Sequence, residues 1–142
     1  MFCIFKSLFS KEKCEENLLA GRRILTIEDE ATQRMMIQKT LEKQGCAVLT
    51  AEDGEKGLEV ALDQKPDLIL LDIILPGMHG DQVCRRLKGD ARTRDIPVIF
   101  LTSTDTPKDI IEQYDIGGEI HLTKPIRPKE LVEQIKFILE GK

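Results

Sequence analysis

Short apolar runs alternate with longer amphipathic segments along most of the chain. The runs read as buried strands, and the segments between them carry apolar residues at the three- and four-residue spacing of a helix. The predicted strands are RILTI (23–27), CAVLT (46–50), DLILLD (67–72), PVIFLT (97–102) and a short run over 120–123. The predicted helices cover 33–44, 55–64, 80–88, a fourth segment from Pro107 onward, and 128–140.

Strands joined by helix-length connections are normally parallel, and right-handed crossovers place helices on both faces of the sheet. We therefore expect an α/β fold with a doubly wound, five-stranded parallel sheet. Gly45 is a predicted stop for the first helix, and Pro107 suits the first turn of the fourth. Ligands of such sheets bind beyond the carboxyl ends of the strands. Functional residues are therefore expected at those ends.

The length and net charge of the chain limit its domain count and the partners that it is expected to bind. The 142 residues fit one domain, and a net charge of −4 gives no reason to expect binding to nucleic acid or to an anionic membrane. A basic cluster over 85–94 is interrupted by acids, so we interpret it as a solvated surface. The four cysteines lack metal-ligand spacing and are expected to be free thiols. Without a membrane span or a secretion signal, the protein is predicted to be cytoplasmic.

The first twenty residues form a separate segment, an N-terminal extension that precedes a domain over 21–142. Its Phe2, Phe5 and Phe9 would share one face of a helix with Ile4 and Leu8. Association with a membrane surface or a partner is one interpretation of this face. Because the segment is short and carries few basic residues, we favour a frayed extension or a helix packed on the domain.

The predicted strand ends carry acids, a hydroxyl and a cation. The acids of 28–30 (EDE) follow the first strand, Asp72 ends the third, Thr102 ends the fourth and Lys124 follows the fifth. Carboxylates brought this close raise a pKa or require a cation, and Mg²⁺ suits one or two carboxylates beside a phosphate. Asp72 can then attack phosphorus to form an acyl phosphate. Mg²⁺ and Lys124 would neutralise the phosphoryl oxygens, and Thr102 would donate a hydrogen bond to one of them.

Four motifs in this order resemble the response-regulator receiver domains of two-component signalling, which are CheY-like. They are ILTIEDE, PDLILLDIILPGMHG, PVIFLTS and HLTKPI, and the resemblance covers about residues 22–140. It implies a flavodoxin-like sheet in the strand order 2-1-3-4-5. It also implies phosphorylation at Asp72, a switch hydroxyl at Thr102, a catalytic lysine at Lys124 and a cis bond from that lysine to Pro125.

The same resemblance implies a ligand set for Mg²⁺. Asp29, Asp72 and the backbone carbonyl of Ile74 would hold the ion, with Glu28 acting mainly through a metal-bound water. Ile74 and Thr104 occupy positions that influence hydrolysis of the acyl phosphate in this family. Since the Ile74 side chain is apolar, we expect it to screen attacking water and lengthen the phosphorylated lifetime.

Two histidines depart from the usual pattern of the family. His121 stands three residues before Lys124, where the family usually has Tyr or Phe as a packing switch. An imidazole that swings inward behind Thr102, with weaker or pH-sensitive coupling, is one interpretation. We favour a plain surface-edge histidine. His79 replaces a frequently acidic loop residue and is interpreted as part of a solvated loop.

The resemblance implies a signalling switch rather than an enzyme. It would accept a phosphoryl group from a sensor histidine kinase or a histidine phosphotransfer protein. It would then pass the group onward or act on a downstream protein through the fourth predicted helix, the fifth strand and the last helix. As the last helix reaches the end of the sequence, we expect a stand-alone receiver domain.

Two other functions share features with this predicted site. A phosphatase of the haloacid-dehalogenase kind also uses an aspartate nucleophile with Mg²⁺, but it needs an acid where Ile74 stands. A receiver-like interaction module that works without phosphorylation remains the alternative, although Asp29, Asp72, Thr102 and Lys124 are all present.

Overall fold

The computed structural model of the protein describes residues 19–103 and 118–140. Its elements in chain order are β1 (Arg23–Ile27), α1 (Ala31–Lys43), β2 (Ala47–Ala51), α2 (Gly54–Gln64), β3 (Leu68–Asp72), α3 (Gly80–Gly89), β4 (Val98–Thr102), β5 (Gly118–Thr123) and a C-terminal helix (Pro128–Glu140). The fourth predicted helix, Thr104 and the aromatic face of the first twenty residues lie outside the described residues.

In the described part of the chain, the five predicted strands and four of the predicted helices are present, within one or two residues at most ends. Helix α2 begins at Gly54, one residue earlier than predicted, because the Asp53 side chain accepts a hydrogen bond from Lys56 N at 2.9 Å and caps the first turn. Gly45 has φ +87° just beyond α1, a conformation that suits glycine after a helix. The glycine stop predicted from the sequence is therefore confirmed.

The five strands form one parallel sheet in the order β2-β1-β3-β4-β5. This confirms the predicted fold class and strand order. Strand β1 lies between β2 and β3, with Ile27 paired to Ala51 on one side and Leu71 on the other. The carboxyl ends of β1 and β3 therefore lie side by side at one edge of the sheet, followed by β4 and β5.

Two apolar clusters fill the two faces of the sheet. One packs β1, β3 and β4 against α1 and the C-terminal helix, and includes Ile24, Leu70, Ile37 and Ile135. The other packs the opposite faces of the same strands against α2 and α3. Strands β3 and β4 are buried along their whole length, which explains why their sequences are continuously apolar rather than alternating.

The packed part of the chain reaches back to Leu19. Its side chain is fully buried in the cluster of α1 and the C-terminal helix, and its carbonyl accepts a hydrogen bond from the Cys46 thiol at 3.4 Å. Cys46 and Cys84 are buried, reduced cysteines. Within 19–103 and 118–140, no helix combines the length and apolarity that a membrane span requires.

The basic cluster over 85–94, in the second half of α3 and just beyond it, lies on the surface, as interpreted from the sequence. Arg92 pairs with Asp90 at 2.8 Å, and its guanidinium lowers the pKa of that carboxyl to about 2. Lys88 is turned toward the backbone instead, where its ammonium donates to the carbonyl of Ile96 at 2.9 Å. These cations are therefore occupied by local acids and carbonyls.

Candidate functional site

Three carboxylates meet at the carboxyl ends of β1 and β3. Glu28 and Asp29 follow β1 directly, and Asp72 is the last residue of β3. One carboxylate oxygen from each lies within 4.8 Å of the others. Glu28 is fully buried, Asp72 is 5% exposed and Asp29 is exposed. The adjacency of β1 and β3 therefore produces an acidic site that is closed on the protein side and open at Asp29.

Lys124 joins two of these carboxylates. Its Nζ donates to Glu28 Oε1 at 2.8 Å and to Asp72 Oδ2 at 2.9 Å. The residue follows β5, and its backbone N–H donates to the carbonyl of Thr102 at 2.6 Å, which holds the lysine at the end of β4. The Lys124–Pro125 bond is cis, as the resemblance implied.

Proton affinities at the site follow from burial and charge. Burial, together with the neighbouring Asp72, raises the pKa of Glu28 to about 8 against the opposing effect of Lys124. Burial lowers the pKa of Lys124, but its bonds to Glu28 and Asp72 outweigh that effect and leave this pKa above its usual value. Without a bound cation, Glu28 therefore keeps its proton near neutral pH.

The residues at the site fit a hard divalent cation. Glu28 Oε2 is buried and accepts no hydrogen bond within the described part of the chain. A buried acceptor without a partner destabilises the fold by about 1–3 kcal/mol. A Mg²⁺ ion prefers carboxylate oxygens and keeps several waters, which the exposed side of Asp29 can accommodate.

The loop after β3 orients the central carboxylate. The backbone N–H of Ile74 donates to Asp72 Oδ1 at 3.2 Å, while the Ile74 side chain is 49% exposed. Gly80 N donates to the Ile73 carbonyl at 2.7 Å. A Cβ at Gly80 would overlap the carbonyl oxygen of Asp72 and the Cα of Ile73, so glycine lets the first turn of α3 approach this loop.

Thr102 is buried at the end of β4, beside β5. Its Oγ1 donates to the carbonyl of Leu122 at 3.4 Å, so the hydroxyl is engaged with the backbone of β5. The sequence predicts this hydroxyl near the phosphoryl position. In the structure, Thr102 lies on the strand next to that of Asp72, one position beyond Leu101, the register partner of Asp72. Its role as a switch remains a prediction.

The two histidines have different surroundings. The imidazole of His121 is half-buried and stacks on the ring of Phe100, with centroids 5.3 Å apart and planes inclined by 13°. His121 lies on β5, at the edge of the sheet as the sequence predicts, and its ring also packs on Phe100 because the two residues are paired in the β4–β5 register. His79 is exposed in the loop before α3, where its N–H donates to Gln82 Oε1 at 3.2 Å.

Arg34 of α1 also lies at the site, although its sequence pattern did not predict it there. Its Nη1 donates to the carbonyl of Glu28 at 2.8 Å and to that of Asp29 at 3.3 Å. A basic residue early in the helix after an acidic pair was the only signal in the sequence. That signal was insufficient because the pattern does not say which way a long side chain turns.

A family model for the response regulator receiver domain matches residues 24–136. The chain is 43% identical over 121 residues to the phosphate regulon transcriptional regulatory protein PhoB of Pseudomonas aeruginosa, covering 85% of this chain and 53% of PhoB. It thus spans about half the length of that relative. It is 40% identical over 119 residues to protein PilH of the same organism, covering 84% of this chain and 98% of PilH.

Solved structures with similar folds are also receiver proteins. The receiver domain of sensor histidine kinase PA1611 from Pseudomonas aeruginosa PAO1 is 29% identical, with a TM-score of 0.77 over 87% of this chain and 100% of that one. That domain was solved with a magnesium ion in its active-site cleft. The chemotaxis response regulator CheY4 of Vibrio cholerae is 26% identical, with a TM-score of 0.77 over 84% of this chain and 99% of that one.

Proposed function

This chain belongs to the response regulator receiver domain family of two-component signalling, and on that premise we propose that it is a phosphorylation-activated switch whose phosphoacceptor is Asp72. The observation that carries the proposal is the position of Asp72. This carboxylate ends a buried strand, lies 2.9 Å from the Lys124 ammonium and shares its site with two further acids. Such an arrangement presents a nucleophile in a site arranged to neutralise incoming negative charge.

In the proposed reaction, an oxygen of Asp72 attacks the phosphorus of a phosphohistidine. The new O–P bond forms as the P–N bond breaks, and the departing imidazole takes up a proton. The donor would be a sensor histidine kinase or a histidine phosphotransfer protein. Lys124 already lies beside Asp72 and would stay close to the phosphoryl oxygens, where its positive charge stabilises them.

Mg²⁺ would be held by Asp29, Asp72 and the carbonyl of Ile74, with Glu28 acting mainly through a metal-bound water. When bound, the ion would neutralise negative charge on the carboxylates and the incoming phosphoryl group. Because Glu28 keeps a proton near neutral pH without a cation, metal binding would release that proton.

The proposed response to phosphorylation begins at Thr102. Its hydroxyl would leave the carbonyl of Leu122, from which it is 3.4 Å in this structure, and donate to a phosphoryl oxygen. Since His121 stacks on Phe100 in the adjoining β4–β5 pair, a displacement of β5 would reach that ring. The proposed output surface for a downstream protein comprises β5, the C-terminal helix and the fourth predicted helix, which lies outside the described residues.

Intact mass after incubation with acetyl phosphate and Mg²⁺ tests the proposal. We expect one phosphoryl adduct on the wild type and none on Asp72→Asn or in Mg²⁺-free buffer, while Asp95→Asn, at an exposed acid before β4, keeps the adduct. Absence of the adduct from the wild type, under conditions that label a known receiver domain, would overturn the switch and favour the phosphorylation-independent interaction module.

A further inference from the structure

We propose that Arg34 is a positioning residue of the metal site: by clamping the backbone that carries Glu28 and Asp29, it sets the affinity for Mg²⁺. This inference rests on the magnesium site of the proposed function. Arg34 lies in the second turn of α1, and its side chain turns back over the β1–α1 loop. It is only 18% exposed, so the guanidinium is part of the packed structure.

The contacts of Arg34 are made with backbone oxygens of the acidic pair. Nη1 lies 2.8 Å from the Glu28 carbonyl and 3.3 Å from the Asp29 carbonyl, and Nη2 lies 3.8 Å from Glu52 Oε1. On the other side of the loop, Glu28 N donates to the carbonyl of Ala51 at 3.0 Å. The main chain of Glu28 is therefore held at both its N–H and its carbonyl, and that of Asp29 is held at its carbonyl.

This arrangement leaves the metal-binding atoms available. A cation that paired with the carboxylates themselves would compete with a metal ion for the same oxygens. Arg34 pairs instead with the carbonyls of Glu28 and Asp29, and the exposed carboxylate of Asp29 stays directed to the site within 4.8 Å of the other acids. The guanidinium thus opposes the tendency of three close carboxylates to move apart without occupying any of them.

The contacts of Arg34 require a guanidinium and could not all be made by the ammonium of a lysine. A guanidinium offers several donors in a rigid plane and can serve Glu28, Asp29 and Glu52 from one position, whereas an ammonium is a point charge on a flexible stem. Residues that orient metal ligands usually change metal affinity by about 10–100-fold when they are removed. Position, rather than charge, is therefore the property of Arg34 that matters for Mg²⁺.

The positive charge of Arg34 and its contacts with the backbone predict opposite effects on Mg²⁺ binding when the side chain is removed. A positive charge near a cation site repels the metal, so its removal in Arg34→Met would tighten Mg²⁺ binding if charge dominated. If clamping dominates, loss of the two carbonyl contacts weakens binding. Arg34→Lys keeps the charge and loses the planar fork, and it should therefore also weaken binding.

Isothermal titration of the whole chain with MgCl₂, without a phosphodonor, measures the effect. We expect the dissociation constant to rise about tenfold in Arg34→Met and by a smaller factor in Arg34→Lys. Arg86→Met, on the exposed face of α3, is the matched control and should bind Mg²⁺ as the wild type does. Urea unfolding of each variant in EDTA measures stability separately.

Unchanged or tighter Mg²⁺ binding in both Arg34 variants would overturn the proposal. So would a loss of stability in EDTA with no change in affinity, since that result makes the residue purely structural. If Arg34→Met fails to fold, Arg34→Lys decides by itself. Failure of the wild type to bind Mg²⁺ would overturn the metal site of the proposed function and this inference with it. If the wild type binds Mg²⁺ and both Arg34 variants bind it equally well, only this inference is overturned.

Discussion

At the scale of single residues, Glu28 illustrates how the site holds acids in its interior. Its side chain is fully buried, and an ionised carboxylate in such surroundings destabilises the fold unless it is paired. Oε1 is paired with Lys124 at 2.8 Å, whereas Oε2 has no partner in the described ranges. Burial of this carboxyl, with Asp72 beside it, raises its pKa to about 8, so the folded protein keeps a proton on Glu28 when no cation is bound.

We expect stability in EDTA to fall as the pH rises from about 4.5 to about 8 and to level off above that range. The folded-state pKa of Glu28 is raised from 4.5 to about 8, so the folded protein keeps a proton that the unfolded chain releases within this window. This contribution to stability is complete below 4.5 and is lost as the pH rises through 8. Its slope approaches about 1.4 kcal/mol per pH unit. Urea unfolding at successive pH values measures it.

The control for this pH dependence is Glu28→Gln, whose side chain does not titrate. Its profile should be flatter than that of the wild type between pH 5 and pH 8. Parallel profiles for the two proteins would mean that another group is responsible.

At the scale of elements, the site depends on how closely α3 approaches the end of β3. Gly80 N bonds to the Ile73 carbonyl at 2.7 Å, and the backbone of Asp72 and Ile73 occupies the space that a side chain at Gly80 would need. The N-terminus of α3, which is the positive end of the helix dipole, thus lies beside the loop that follows Asp72. The last residue of the same helix, Gly89, has open space where a Cβ would lie.

Gly80→Ala should lower the free energy of unfolding by about 1–3 kcal/mol, because the added methyl group meets backbone that has no room to move. It should also reduce acetyl-phosphate labelling of Asp72, since the loop must shift. Gly89→Ala is the matched control in the same helix and should be neutral or slightly stabilising. Urea unfolding and intact mass measure both effects, and equal stabilities of the two variants would contradict the packing argument.

At the scale of the whole molecule, the site joins distant parts of the chain. Lys124 is 96 residues from Glu28 and 52 from Asp72, and the contacts exist only when β1, β3 and β5 share one sheet. A ligand that binds this arrangement binds the folded state alone. Metal binding is therefore coupled to global stability.

We expect Mg²⁺ to raise the melting temperature in proportion to the logarithm of its concentration once the site is saturated. At a concentration one hundred times the dissociation constant, the added stability is about 2.7 kcal/mol. Asp29→Ala should abolish the shift, whereas Asp95→Ala, at an exposed acid outside the site, should preserve it. Thermal melts at constant ionic strength measure this, and a shift that survives in Asp29→Ala would assign the effect to metal bound elsewhere.

Hydrophobic patterning in the sequence determined most of the fold. Continuous apolar runs identified β3 and β4, since strands buried on both faces carry little polar sequence. The charges at strand ends then indicated the site, because a carboxylate such as Asp72 directly after a buried run needs a partner. The strands and the site could be inferred in this way because both depend on the spacing of apolar and charged residues along the chain, which is the same before and after folding.

Tertiary structure alone decided which way the side chains turn at the site. Thr102 donates its hydroxyl to β5, His121 stacks on Phe100, and Arg34 reaches back to the carbonyls of Glu28 and Asp29. Each contact depends on a side-chain rotamer selected by neighbours from another element. Periodicity assigns a residue to a face of its element, but the partner on that face becomes known only when the elements have packed.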